Sequence, residues 1–311
     1  MGNSGRYIGV IAAVLLVGLV CRPGVAAETI PDKRVLKVGE KPESVCRGFD
    51  GLLYVTMING DEPGDGTVVA VDGDKVSVFC TGLNSPKGIV FTGGFLVTAD
   101  ETTLWKIDST GRKTPIAARD NFPRPVEFLN DVAASTDGES VYVAEMSTPS
   151  PMFDPDGERR LWELGGDRDA GLPKKGCVYR VTLGGRITEV IPAGHDALRF
   201  PNGVAVERTV AGEQVYAADF FTGNIVWTTS SGHQVLATGI RGLDGLTVAG
   251  DVIYGSSWTG GTVWKIDRGT GKRTLLLDGL TTAADFYFDA VKKQLIIPDM
   301  ISGTLTFLPL H

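Results

Sequence analysis

Four short motifs share one frame, and each begins with a side chain that offers oxygen to a hard cation: Glu43 in PES, Asn130 in LND, Asn202 in PNG and Asp244 in LDG. Calcium takes about six to eight oxygens from carboxylates, amide carbonyls and water. Two carboxylates and two amides would balance a divalent charge. They would also leave positions for water and a substrate oxygen, so that the ion could act as a Lewis acid. Calcium suits this donor set best. Magnesium and manganese stay open, and zinc ranks below them because the frame holds no His or Cys. A single Asn or Asp beside Gly is more often a turn former. Four ligand-type residues in one phase of a repeat are harder to explain that way.

The elements that must position these residues are strands. Ten to fourteen residues after each motif comes a strand end of one type: YVTM at 54–57, YVAE at 142–145, YAAD at 216–219 and YGSS at 254–257. Lys87 with VTAD (97–100) and Asp285 with IIPD (296–299) fit as two further copies. The copies start at 43, 87, 130, 202, 244 and 285. A period of about 40 to 45 residues with several strands per unit marks a β-propeller. The expectation is an all-β, six-bladed propeller with four-stranded blades whose frame residues all face one axis. KRVLKVG (33–39) has no blade of its own and is suited to pair with the last one, closing the ring.

The chain has 311 residues, net charge −7 and 41 glycines, and 42% of it is hydrophobic. Propellers of this length form one domain. No basic stripe appears, which argues against nucleic acid and anionic membrane surfaces as partners. Residues 1–27 read as a signal peptide: Arg6, the apolar run Ile8–Val20, and a cleavage site at Val25-Ala26-Ala27. An alternative is lipid attachment at Cys21. Residues 28–311 would then be a periplasmic or secreted propeller with no membrane contact and no protein partner. Cys46 and Cys80 fall on the inner and outer strands of blade one. Three strand steps span about 14 Å, beyond the roughly 7 Å reach of a disulfide, so both read as buried thiols, as does Cys177.

Residues 147–175 form the one large insertion, between the second and third strands of blade three. It should overhang the mouth as a lid, with Trp162 and Leu164 packing it down. Phe128, Asp219, Phe220, Phe221, Trp258 and Met300 are expected to line a pocket there. The acids closing the second strands, Asp100, Glu145, Asp219 and Asp299, read as caps of the sheet ladder, with Asp219 and Glu145 also able to support the ligands.

The chain resembles the SMP-30/gluconolactonase family of calcium-dependent six-bladed propellers. The resemblance rests on PES at 42–44, LND at 129–131, PNGVAV with YAAD within 201–219, and LDGLTV with YGSSW within 243–258. It implies that Glu43, Asn202 and Asp244 are metal ligands and that Asn130 binds metal or substrate. It also implies that Asp244 is the general base or nucleophile. Phe128 stands where sugar-lactone members carry Arg, which counts against an aldonolactone. Lys87 stands where the related paraoxonase branch has a catalytic His; it is either a catalytic cation or an ion-pair partner of Glu43 or Asp285. The function expected is an exported calcium-dependent hydrolase of a lactone or related ester. The alternatives are a ligand- or protein-binding propeller and a metal-independent enzyme like strictosidine synthase.

Overall fold

A computed structural model describes residues 33–310; the expected leader and Cys21 lie outside them. Six four-stranded antiparallel sheets follow one another along the chain. In the first, Pro42–Arg47, Leu53–Met57, Gly66–Asp72 and Lys75–Leu83 pair in chain order. The next four repeat that order, with inner strands Pro86–Thr92, Leu129–Ala134, Pro201–Thr209 and Leu243–Ala249. In the sixth, Tyr287–Asp289, Gln294–Asp299 and Thr304–Pro309 are joined on the outside by Arg34–Lys37, from the other end of the chain. The molecule is a six-bladed β-propeller.

Burial follows from this layering. Leu53–Met57, a second strand, is buried at every position because both faces of its sheet pack against neighbouring blades. Lys75–Leu83, an outer strand, is mostly exposed. Apolar side chains fill the seams between blades; Val97, Leu104, Val132, Val143 and Tyr179 join blades two and three. Cys46, Cys80 and Cys177 are buried free thiols. Among the described residues the only α-helix is the single turn Asp167–Ala170.

One irregularity recurs and positions the site. The first residue of each inner strand pairs with the last residue of the second strand: Pro42 with Met57, Pro86 with Asp100, Leu129 with Glu145, Pro201 with Asp219, Leu243 with Ser257. Regular pairing resumes three residues later against two on the partner, so each strand stores one extra residue in a bulge. Such bulges lift a side chain out of the ladder and re-aim it. In blade six the matching pair is Ala283 with Asp299. The sixth frame residue is therefore Ala284, not Asp285 as residue type suggested. Asp285 occupies the next position inward, equivalent to Ser44, Gly88, Asp131, Gly203 and Gly245.

Candidate cation site at the mouth of the central channel

Glu43, Lys87, Asn130, Asn202 and Asp244 are each the second residue of an inner strand. Hydroxyls on the second strands hold the frame peptides in place. Thr56 accepts from the Ser44 amide at 3.0 Å and donates to the Lys87 carbonyl at 2.8 Å. Ser256 accepts from the Gly245 amide and donates to the Ala284 carbonyl, both at 2.8 Å. The same bond thus reaches the frame residue of the following blade in both cases.

Glu43, Asn130, Asn202 and Asp244 are all buried. Each keeps one oxygen with no hydrogen-bond partner: Glu43 Oε2, Asn130 Oδ1, Asn202 Oδ1 and Asp244 Oδ1. Among the described residues only one other buried side-chain oxygen, Asp65 Oδ1, is left so. Buried polar atoms are nearly always paired, and leaving one unpaired is costly. Four orphaned oxygens in one layer fit an oxygen-ligated cation. No group of three or more His, Cys, Asp or Glu among the described residues is spaced to hold a metal; this set is half amide.

The electrostatics agree. Burial raises Glu43 to about 8, against the opposing charge of Lys87 and with that of Asp285. Burial, then Glu43 and Asp285, lift Asp244 well above the usual carboxylate range. Burial also lowers Lys87. Lys87 donates to Ser85 Oγ at 2.9 Å and lies 5.3 Å from the Phe128 ring centroid. Its ammonium thus rests on a hydroxyl and an aromatic face and makes no direct ion pair with Glu43 or Asp285.

Beneath this layer lies a second, made by Asp131, which residue type did not single out, and Asp285, which it placed one layer too high. Asp131 Oδ2 accepts from the Val204 amide at 2.7 Å, and Asp285 accepts from the Ser44 hydroxyl. Both acids are buried and raised, Asp285 to about 6, burial being the main cause for each. They fit only because their neighbours are glycine: a Cβ at Gly88 would come within 2.6 Å of the Asp131 Cα, and one at Gly245 within 2.6 Å of Asp285 Oδ1. Below them the inner strands enclose a channel of about 360 Å³ that runs to the opposite face.

The acids closing the second strands hold the loops that lead into the frame. Asp100 accepts from the amides of Asn84 and Ser85, Glu145 from Glu127, Phe128 and Ser147, and Asp299 from Thr281 and Thr282. Asp219 accepts from the amides of Arg199, Phe200 and Thr222 and is fully buried. It supports the loop before Asn202 and presents no surface to the mouth. Phe221 is also excluded from the pocket; it packs on Phe200 beneath Arg241.

Above the ligand layer, a wall is formed by the residue after each second strand. Its amide bonds back to the loop before the frame residue: Ile58 to Lys41, Met146 to Phe128, Phe220 to Phe200, Trp258 to Gly242 and Met300 to Thr282. Five of these six positions are apolar, and Glu101 is the sixth. Met146 touches the ligand layer directly, its sulfur accepting from Asn130 Nδ2 at 3.3 Å. The inserted segment folds over this wall. Phe153 and Leu161 form a bridge within it, and Phe153 stacks edge-on against Phe220 and Trp258 at 6.0 and 6.4 Å. Trp162 packs as expected, whereas Leu164 is exposed.

A family model described as outer membrane protein assembly factor BamB matches residues 48–275. The chain belongs to this β-propeller family. The BamB-family match includes Lys87, Asn130, Asn202 and Asp244 and begins just after Glu43. No curated protein matches the chain. Among solved structures, a gluconolactonase from Xanthomonas campestris is similar with a TM-score of 0.59 and 16% identity, over 89% of this chain and 98% of that one. A chain of a nidogen/laminin complex is similar at 0.56 and 15%, over 75% and 78%. At these identities the likeness is one of fold, and fold alone does not decide function.

Proposed function

We propose that this propeller is a calcium-dependent hydrolase of a lactone or related ester, close in kind to the SMP-30/gluconolactonase enzymes. The observation that carries the reading is the set of four orphaned oxygens on Glu43, Asn130, Asn202 and Asp244. The fold shared with a gluconolactonase is consistent with it. A divalent cation held there would polarise the ester carbonyl and stabilise the oxyanion. The protein's own part is to bind, orient and exclude water. Asp244 accepts the proton of the attacking water. The Lys87 ammonium, fixed by Ser85 and Phe128, faces the carboxylate as it forms. Phe128, Phe220, Trp258 and Met300 surround the substrate. Export to the periplasm or beyond, where calcium is plentiful, suits this chemistry.

The test is metal content and calcium-dependent lactone hydrolysis on the purified protein beside Asp244→Ala. Bound calcium and turnover, both sharply reduced in the variant, would uphold the reading. A protein that binds no cation and cleaves nothing would sink it. The family match favours a second reading for that case, a protein-binding propeller.

A further inference from the structure

We infer, resting on the hydrolase reading, that the substrate is a lactone or ester bearing a compact apolar substituent, selected by the inserted segment through Phe153. Two layers at the mouth differ sharply in chemistry. The ligand layer offers oxygen, while the layer above it offers Ile58, Met146, Phe220, Trp258 and Met300 from five blades, and Glu101 alone from blade two. The layers touch through Met146 and Asn130.

The roof is apolar as well. Arg159, at the tip of the segment, donates to the carbonyl of Thr281 in blade six at 2.7 Å. Arg241 of blade five donates to the Trp162 carbonyl at 2.7 Å, and Asp169 pairs with Arg199 of blade four. A segment rooted in blade three therefore spans to the opposite blade, and its Met152 and Phe153 pack in one cluster with Met146, Phe220 and Trp258. The polar groups at the mouth, Lys87 and Glu101, lie on the blade-two side; the aromatic cluster lies across from them. A substrate carbonyl directed at the ligand layer would thus carry its substituent toward Phe153, Phe220 and Trp258. Hydroxyl groups there would lose water and find no partner, whereas an alkyl chain is favoured by leaving water.

The experiment compares δ-decalactone with glucono-δ-lactone on the calcium-loaded protein; the two share a six-membered ring and differ in alkyl chain against hydroxyls. An alkyl-substituted δ-lactam, which is not cleaved, is titrated calorimetrically in parallel. The expected kcat/KM is at least about tenfold higher for δ-decalactone. Phe153→Ser should narrow that ratio at least about fivefold and weaken the lactam, and Trp258→Leu should do so to a smaller extent. Equal or glucono-favoured turnover would overturn this inference and leave the hydrolase standing. Lactam binding that depends on Phe153, with neither lactone cleaved, would uphold the apolar ligand and overturn the hydrolase. No turnover and no lactam binding would overturn both.

Discussion

Arg159 and Thr281 join opposite blades: the Arg159 guanidinium donates to the Thr281 carbonyl at 2.7 Å and stacks 5.8 Å from the Trp258 ring centroid. This is the contact of the inserted segment farthest from its roots. Arg159→Ala should loosen the tip by about 1 kcal/mol, a discounted value for a partly exposed charged donor. Amide exchange over residues 152–162 should quicken about fivefold. Unchanged protection would mean that Phe153 and Trp162 hold the segment without this bond.

Asp244 supplies one of two carboxylates to the candidate cation site, and its Oδ1 is unpartnered. Asp244→Ala should weaken calcium about 100-fold by calorimetry, and should cut the calcium-induced rise in Tm accordingly. Equal affinity in the variant would remove Asp244 from the ligand set.

The pH dependence follows from Glu43, raised by burial to about 8 from an ordinary 4.5. Between those values the unfolded chain has lost a proton that the folded, cation-free chain keeps. Stability of the cation-free protein should therefore fall as pH rises from about 5 to 8. Asp244 and Asp131, also raised, act in the same sense, and Lys87, lowered, acts against them. Calcium needs the carboxylates ionised, so its binding should release protons and raise Tm more at pH 8 than at pH 5. Thermal melts with and without calcium at the two pH values check this; a calcium effect that shrinks as pH rises would contradict it.

Lys87 carries a like charge for any cation at the site, and Lys87→Met would remove it while keeping an apolar stem. Calcium should bind about fivefold tighter. Hydrolysis lost while calcium tightens would assign Lys87 a catalytic part. Unchanged turnover would leave it a packing residue on Phe128.

Gly88 is a packing test of the inner layer. Gly88→Ala would drive a Cβ to 2.6 Å from the Asp131 Cα and from the Val132 amide nitrogen, both backbone atoms that cannot swing aside. The expected loss is about 3 kcal/mol, or about 5–10 °C in Tm. Gly184→Ala, whose Cβ would approach Thr182 Oγ1 no closer than 3.8 Å, should be near neutral.

Much of this was legible in the chain. Each blade repeats its apolar alternation and its turn residues, and these are local properties that a single sequence displays. The six strand ends read as VTAD, YVAE and their kin are strand ends in the structure. The second residues of five inner strands, including Glu43, Asn130, Asn202 and Asp244, stand where the repeat phase put them.

What tertiary structure alone decided is which atoms meet across blades. Asp285 matched the frame by residue type, but the bridge between Ala283 and Asp299 gives that position to Ala284. Register is set by pairing with a partner strand, which composition does not reveal. Asp219 reads as a pocket acid by type, yet it is buried on the amides of Arg199 and Phe200 from the preceding loop and of Thr222 from its own turn. Leu164 looked like an anchor, yet the segment's path turns it to solvent and buries Met152 instead, with Phe153 half-buried beside it. The six residues around the mouth are as many as 242 positions apart in the chain, from Ile58 to Met300. Each directly follows one of the repeated strand ends, so the repeat marked their place; only the closed ring of sheets, pairing strands far apart in the chain, brings them to one height around one axis.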